Sequence, residues 1–474
     1  MKNIIVLGGG TAGLVSALIM KRTFDVDITI VKSEEIGIIG VGEGSTEHWL
    51  GFLNYCKIDW KELIKETDAT IKYGIYFTNG WSNKNYYHNV ITDKTINLSQ
   101  HHYSYLNSIA SNEEQIKTTD TFTLDNLVLD MYDIAPNQFH FNTHKLNQYL
   151  LKKCMERGIK VVHDTIEDVY VTEKGISKLV GNQIHQADFY IDCTGFKRLL
   201  ISELGAKWKS YSDHLFMNEA IAFPTEDTEE YTPYTEARKM NAGWLWRIPT
   251  FGRWGNGYVY NNNLIDRDKA LEEVEKQYGH KIDVAKNVNF EPGALDKAWI
   301  KNCLAVGLCA NFVEPLEASS IGTTIQQMWL FTHYYIDKPT DKIKDTYNEK
   351  LNLIMSNIRD FILIHYLNEP NLNLPKDLKE KLKLWKQRPP IDEDFDGCRY
   401  YLFWAKNFIQ VLHGMQFWSP TEMRKYLNTF NETHTSELDL ECKIKNLEFL
   451  EKGNTQSISH KKWLKNIRNN NSMS

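Results

Sequence analysis

Apolar positions fall into short unbroken runs at the start of the chain and open into helical spacing toward its end. Residues 4–7 are apolar at every position, which predicts a strand buried on both faces. The stretch Gly8-Gly9-Gly10-Thr11-Ala12-Gly13 follows, then a helical pattern over 14–21 and a second strand over 26–31. Strand, glycine loop, helix and strand in that order predict the β-α-β unit of a parallel sheet. Residues 189–195, ending at Gly195, and 302–307, ending at Gly307, have the pattern of further strands of that sheet. Between them, residues 217–260 are rich in aromatic residues and turns, which predicts antiparallel sheet. Beyond Ile321 the spacing is mostly helical; Pro389-Pro390 interrupts it, and a polar tail, mobile over its last residues, is expected after Gly453. No internal repeat is present.

Composition narrows the class. Across 474 residues, apolar residues make up 42% and charged residues 24%, as in a soluble globular protein, and the net charge of -6 gives no electrostatic footprint for nucleic acid. No apolar run approaches the roughly 18 residues of a membrane span. The N-terminus enters the first strand with no room for a signal peptide, so a cytoplasmic location is expected. The 7 cysteines are dispersed with no C-x-x-C pair, the pattern of free thiols; Cys193, Cys303 and Cys309 lie in apolar runs and are expected in the core. His88, His101, His102 and His140 match no metal-ligand spacing, and no metal site is expected. Aromatic content is high, with 13 Trp and 24 Tyr; some of these rings fill a large core and a surplus could line a cavity for a flat substrate, and composition does not separate the two.

Gly8, Gly10 and Gly13 satisfy G-x-G-x-x-G between a strand and a helix. The first permits the tight turn, the second lets backbone approach a pyrophosphate, the third packs helix on strand, and the helix N-terminus favours the negative charge. The second strand should then end on an acidic residue that binds a ribose; Lys32 stands there instead, which weakens that contact.

Several further segments, taken with this loop, resemble the flavin-dependent halogenases of the tryptophan-halogenase family. They are Val41-Gly42-Glu43-Gly44, the run from Ala69 through Lys72 and Gly74 to Phe77 and Trp81, and Phe139-His140-Phe141. Asp192-Cys193-Thr194-Gly195-Phe196, Trp244-Leu245-Trp246-Arg247-Ile248-Pro249 and Glu314-Pro315-Leu316-Glu317 complete the set. They occur in the family's order over residues 1 to about 330. The resemblance implies an α/β fold: an FAD-binding Rossmann-like parallel sheet with an antiparallel sheet and a helical C-terminal substrate module. The FAD module draws on 1–85, 140–200 and 295–335, and the substrate module on 86–139, 201–294 and 336–474, as one integrated unit.

The resemblance also implies chemistry. Reduced FAD, supplied by a separate flavin reductase, and oxygen turn a halide ion into hypohalous acid, which halogenates an electron-rich aromatic small molecule. Lys72 takes the place of the family's halogenating lysine and Glu317 that of its glutamate. FAD contacts are implied at Gly8, Gly10, Thr11, Ala12, Gly13, Lys32, Val41, Gly42, Glu43, Val169, Leu308 and Ile321, and halide contacts at Ser319 and Ser320. Where the family has serine, threonine and glycine after the glutamate, this chain has Ala318, Ser319 and Ser320, so halide choice is the property most open to change.

The residues themselves leave other readings open. Strand alternation places Lys72 on an outward face with Gly74 and Tyr76, as an ordinary solvated lysine. Glu317 has the position of a dipole partner at a helix start. Trp244 and Trp246 share one side of a strand, as core or as a barrier between flavin and substrate. Phe403, Trp404, Phe408, Phe417 and Trp418 are substrate-stacking residues or core. An FAD-dependent aromatic hydroxylase and a non-catalytic flavin sensor remain rival functions, and a homo-oligomer is left open.

Overall fold

The computed structural model describes residues 2–35, 37, 42–89, 106–112, 125–132, 135–335, 338–431, 436–437, 440, 451 and 455–469. Val41, His101 and His102 lie outside them. The N-terminal pattern folds as expected. Strand Asn3–Leu7 leads through the glycine loop into helix Thr11–Thr23, whose residues 13–20 are all buried, and the chain returns as strand Asp27–Lys32. Asn3–Leu7 is central in a six-stranded sheet, between Asp27–Lys32 and Phe189–Asp192, with Lys160–His163 and Cys303–Ala305 outside them. These pairings are all parallel; only the edge strand Trp299–Ile300 runs antiparallel. Helices Thr143–Glu156 and Ser319–Tyr334 pack on Thr11–Thr23, which explains why that helix is apolar nearly all round.

A seven-stranded sheet carries the aromatic segment. Its order is Lys286–Asn289, Glu219–Thr225, Arg253–Tyr260, Gly243–Thr250, Thr235–Lys239, Gly74–Thr78 and Tyr86–Asn89. Residues 217–260 are antiparallel, as their turns predict, whereas Gly74–Thr78 joins Thr235–Lys239 in parallel.

A small three-stranded sheet, Glu43–Gly44, Gln138–Phe141 and Thr70–Lys72, bridges the two larger ones. Here simple alternation fails. Thr70–Lys72 belongs to the bridge and Gly74–Thr78 to the seven-stranded sheet, with Tyr73 turning between them and donating its N–H to Pro233 O. Facing set on one side of Tyr73 does not carry across to the other, so Lys72 is buried (1% exposed) where alternation places it in solvent.

The expected polar tail is also corrected. Strand Ser457–Ser459 pairs with Leu127–Leu129, and helix His460–Asn469 buries Trp463, Leu464 and Ile467. The Trp463 ring stacks against Trp60 on one neighbour and Tyr132 on another. His460, buried and held down at about 3 by burial, accepts the Ile71 N–H at 3.0 Å. The C-terminal helix thus braces the strand that carries Lys72. Replacing Trp463 by Ala should cost about 3–5 kcal/mol, the usual range for deleting a buried ring, measured by urea denaturation. Limited proteolysis should then release the segment after residue 455.

Candidate active site

The glycine loop has the geometry its spacing implies. Gly8 has φ +119°, and a Cβ there would strike the Cys193 backbone. A Cβ on Gly13 would strike the Gly8 carbonyl, so only glycine lets helix and loop approach this closely. Gly10 differs: a Cβ would meet no protein atom within 4 Å. Gly10 is also the N-cap of helix Thr11–Thr23 and makes no side-chain cap. A phosphate therefore finds space, backbone N–H groups and the positive end of a helix at one point. Thr11 Oγ1 donates to Asn147 Oδ1 at 2.8 Å and fixes the loop's exit. Gly307 packs on Ala12 and brings the 307–309 turn, with half-buried Leu308, across the same helix start. Lys32 lies along Gly9, where a Cβ would come within 2.9 Å of it. These residues fit the diphosphate of a flavin dinucleotide.

Downstream, Gly42 packs against Ile248 of the W-x-W-x-I-P segment. Glu43 is a carboxyl that burial pushes up to about 7. Ile321 is buried in the first turn of helix Ser319–Tyr334, and Gly322 in that turn packs on Thr46. Val169 lies apart, on the hairpin of Asp168–Thr172 and Gly175–Val180.

Lys72 and Glu317 come together from distant elements. Lys72 donates to Ser45 O at 2.9 Å, and its Nζ faces Gly44, beside the Ala318 methyl. Burial lowers Lys72 to about 8, against the opposing pull of Glu317 and Glu47. Glu317 ends a 3-10 turn, Pro315–Glu317, and is 3% exposed. It does not cap the helix. Ala318 follows with φ +52°, a left-handed conformation rare for a residue with a side chain, and this turns the chain into helix Ser319–Tyr334. Ser319 is buried and Ser320 exposed at the start of that helix.

Two imidazoles hold the Glu317 carboxylate. His88 Nδ1 lies 2.7 Å from Oε2, and His365 Nε2 lies 3.0 Å from Oε1, the latter off the line of a directed hydrogen bond. Burial alone would push the carboxyl up. His88 and His365 outweigh it and hold Glu317 down at about 2. Glu314, three residues earlier, accepts from Trp244 Nε1 and Tyr366 Oη, each at 2.7 Å, and burial pushes it up to about 7. Trp244 is buried, and its ring lies 6.1 Å from that of Trp246, which covers Gly257.

The C-terminal aromatic cluster is mainly core: Phe403 stacks on Phe361 at 3.9 Å, Phe408 packs between Phe361 and Trp385, and Trp418 donates to Trp385 O. Trp404 is only half-buried. His140 is bonded to Thr70 and Thr235, and among the described residues no His, Cys, Asp or Glu group is placed to hold a metal. Sequence reasoning missed His88, Tyr86, His365 and Asn407 as one group. No spacing rule links residues 86–88 to 365 and 407, and in the sequence His88 stands out only as a metal-ligand candidate that matches no ligand spacing.

A nucleotide-type glycine loop and, at a separate place in the fold, a buried lysine near an ionised carboxylate are the features of a nucleotide-cofactor enzyme. The family model for tryptophan halogenase matches residues 3–432. The chain is 30% identical over 451 residues to the 7-chloro-L-tryptophan 6-halogenase KtzR of a Kutzneria species, covering 82% of this chain and 86% of that one. It is 26% identical over 412 residues to the tryptophan 7-halogenase RebH of Lentzea aerocolonigenes, covering 78% and 77%. The tryptophan halogenase of Shewanella frigidimarina has the same fold, with a TM-score of 0.89 at 23% identity over 99% of this chain and 98% of that one. The chain belongs to the tryptophan halogenase family, and it is an enzyme of flavin-dependent halogenation acting on an aromatic substrate. No helix among the described residues is long and apolar enough to cross a membrane.

Gly10→Val separates ligand contact from folding. The backbone at Gly10 suits any residue and an added Cβ meets no protein atom within 4 Å, so thermal stability should stay within about 0.5 kcal/mol of the parent, as for an unconstrained position. FAD uptake, followed by quenching of flavin fluorescence, should be lost. Unchanged affinity would remove the loop from the flavin site.

Proposed function

We propose that this enzyme uses hypohalous acid, held by Lys72, to halogenate an electron-rich aromatic molecule of indole or phenol type. The observation that carries the reading is a lysine buried at 1% exposure, aimed at the Gly44–Ala318 wall, with an ionised Glu317 acting on it. A reduced flavin, when bound, would activate oxygen, and oxygen is the oxidant that would take the halide to the hypohalous acid. The loop 8–13 would hold its diphosphate, with Lys32, Gly42, Glu43, Leu308 and Ile321 beside it. The backbone at Ser319 and Ser320, at a helix N-terminus, suits a halide.

The Lys72 ammonium donates a hydrogen bond to the oxygen of the hypohalous acid and polarises the oxygen–halogen bond. The halogen passes to a ring carbon, the ring carbon loses its proton, and that proton leaves with the oxygen as water. Trp244 and Trp246 fill the wall that separates the flavin from the substrate. An aromatic hydroxylase would need direct access between those sites and no buried lysine, so the arrangement favours halogenation. One dinucleotide loop serves the flavin, so a separate reductase supplies the reduced cofactor.

Lys72→Ala should reduce halogenated product at least about a hundredfold, the usual cost of a lost charge-stabilising donor. Hydrogen peroxide should continue to be released, measured beside the product by mass spectrometry. Normal product yield would exclude Lys72 and return the hydroxylase reading. The ammonium is the working form, and its charge is lost as pH rises through about 8, so halogenation should fall above that pH while Glu317 stays ionised. Ala318 and Ser320 alter the halide wall, and heavier halides are more easily oxidised. At equal concentrations bromide or iodide product should therefore exceed chloride product; dominance of the chloride product would refute this.

A further inference from the structure

We infer that His365 and Tyr86, together with His88 and Asn407, are positioning residues that hold the Glu317 carboxylate away from direct pairing with Lys72, leaving the ammonium free for the hypohalous acid. The inference rests on the reading of Lys72 given above and assigns the residues that keep that lysine available.

Hydrogen-bond direction fixes each imidazole. The Trp404 N–H needs an acceptor and takes Asn407 Oδ1 at 2.9 Å, so the Asn407 amide faces His88 Nε2 at 3.1 Å. Nε2 must then accept, and the His88 proton sits on Nδ1, pointing at Glu317 Oε2 at 2.7 Å. On the other side the Tyr86 phenol lies 2.7 Å from His365 Nδ1. Burial first, and then the Glu317 charge, keep that phenol protonated well above its ordinary range, so it donates. His365 Nδ1 accepts, so its proton is on Nε2, which lies 3.0 Å from Glu317 Oε1 as an electrostatic contact off the line of a directed hydrogen bond. Each ring is locked by a partner on its far side, the arrangement that makes a histidine a fixed donor.

Packing prevents either ring from turning. His365 stacks on Phe77 at 4.5 Å and meets Phe361 edge-on, and His88 lies edge-on to Phe361. Oε2 is therefore hydrogen-bonded to His88 and Oε1 lies against His365. No ion pair within 4.0 Å joins Lys72 to Glu317, although the carboxylate's field still reaches the ammonium. Lys72 gives one hydrogen bond to Ser45 O. A contact ion pair would occupy the donors that the hypohalous acid requires and bring the lysine back toward its ordinary range.

The charged and titratable groups facing this pair are Glu317, Glu47 and His140 around Lys72, and Lys72, His88, Tyr86 and His365 around Glu317. His140 is uncharged, because burial pulls it well below the histidine range. Removing the His365 nitrogens takes away the electrostatic contact at Oε1 and lets the carboxylate turn toward the ammonium.

The experiment measures halogenated product and hydrogen peroxide across the pH range spanning the Lys72 titration. Wild type, His365→Phe, Tyr86→Phe and Lys72→Ala are each supplied with a flavin reductase, NADH, bromide and an indole. His365→Phe keeps an aromatic ring, one atom larger, for the stack and removes both nitrogens. Its product rate should fall about a hundredfold, the scale expected when a reacting group is misplaced, with peroxide rising in compensation. Its residual activity should extend to higher pH than wild type, by about one unit, as a lysine gains a contact partner. Tyr86→Phe should shift the limb the same way by less, and it carries the test where His365→Phe does not fold. A loss of product with the alkaline limb unmoved, or undiminished product, overturns the inference. Normal halogenation by Lys72→Ala would instead overturn the underlying reading of the lysine.

Discussion

Two opposite charges buried together without touching set the demands that the rest of the molecule meets. An ionised carboxylate out of water is costly unless its oxygens are bonded, and a buried ammonium is costly unless a carbonyl or an anion accompanies it. Glu317 meets the first demand with His88 and His365, and Lys72 meets the second with the Ser45 carbonyl and the Glu317 field. Collapse into a contact pair would satisfy both charges and, on the proposed role of Lys72, occupy the donors that the hypohalous acid requires. The surrounding aromatic packing of Phe77, Phe361 and Phe403 keeps the separation.

That packing explains why the site draws on so many elements. Lys72 comes from the small bridging sheet, and Tyr86 and His88 from the edge of the seven-stranded one. Glu317 comes from the turn before helix Ser319–Tyr334, His365 from the end of helix Asp341–Ile364, and Asn407 from helix Ala405–Gly414. The bridge is itself held from outside: Ile71 is bonded to His460, and the helix that carries His460 is anchored by Trp463 between Trp60 and Tyr132. A segment that is polar by composition therefore supports the strand that carries Lys72.

The glycine-loop side follows a different logic, of backbone approach rather than charge. Gly8, Gly13 and Gly307 are each glycine because a Cβ would strike neighbouring backbone or Ala12, and Gly10 is glycine although the protein leaves it room. The W-x-W-x-I-P segment is anchored through Trp244 on Glu314 and through Ile248 on Gly42, so one strand ties the loop at 42–44 to the turn at 314–318.

By itself the sequence determined whatever depends on neighbours along the chain. The β-α-β start, the glycine loop, the antiparallel stretch over 217–260 and the helices after Ile321 are local patterns, because hydrophobic period and glycine spacing act over a few residues. The lysine at 72 and the glutamate at 317 were legible only through their resemblance to a family; alternation alone put Lys72 in solvent, since nothing in the local pattern shows that the chain changes sheets at Tyr73. The tertiary structure alone decided that His88 and His365 meet one carboxylate, that Asn407 and Tyr86 fix their tautomers, and that a polar C-terminal segment becomes a buried brace. Those contacts join residues tens to hundreds of positions apart. Their energy comes from desolvation and hydrogen-bond direction, which exist only once the elements have packed and water has left.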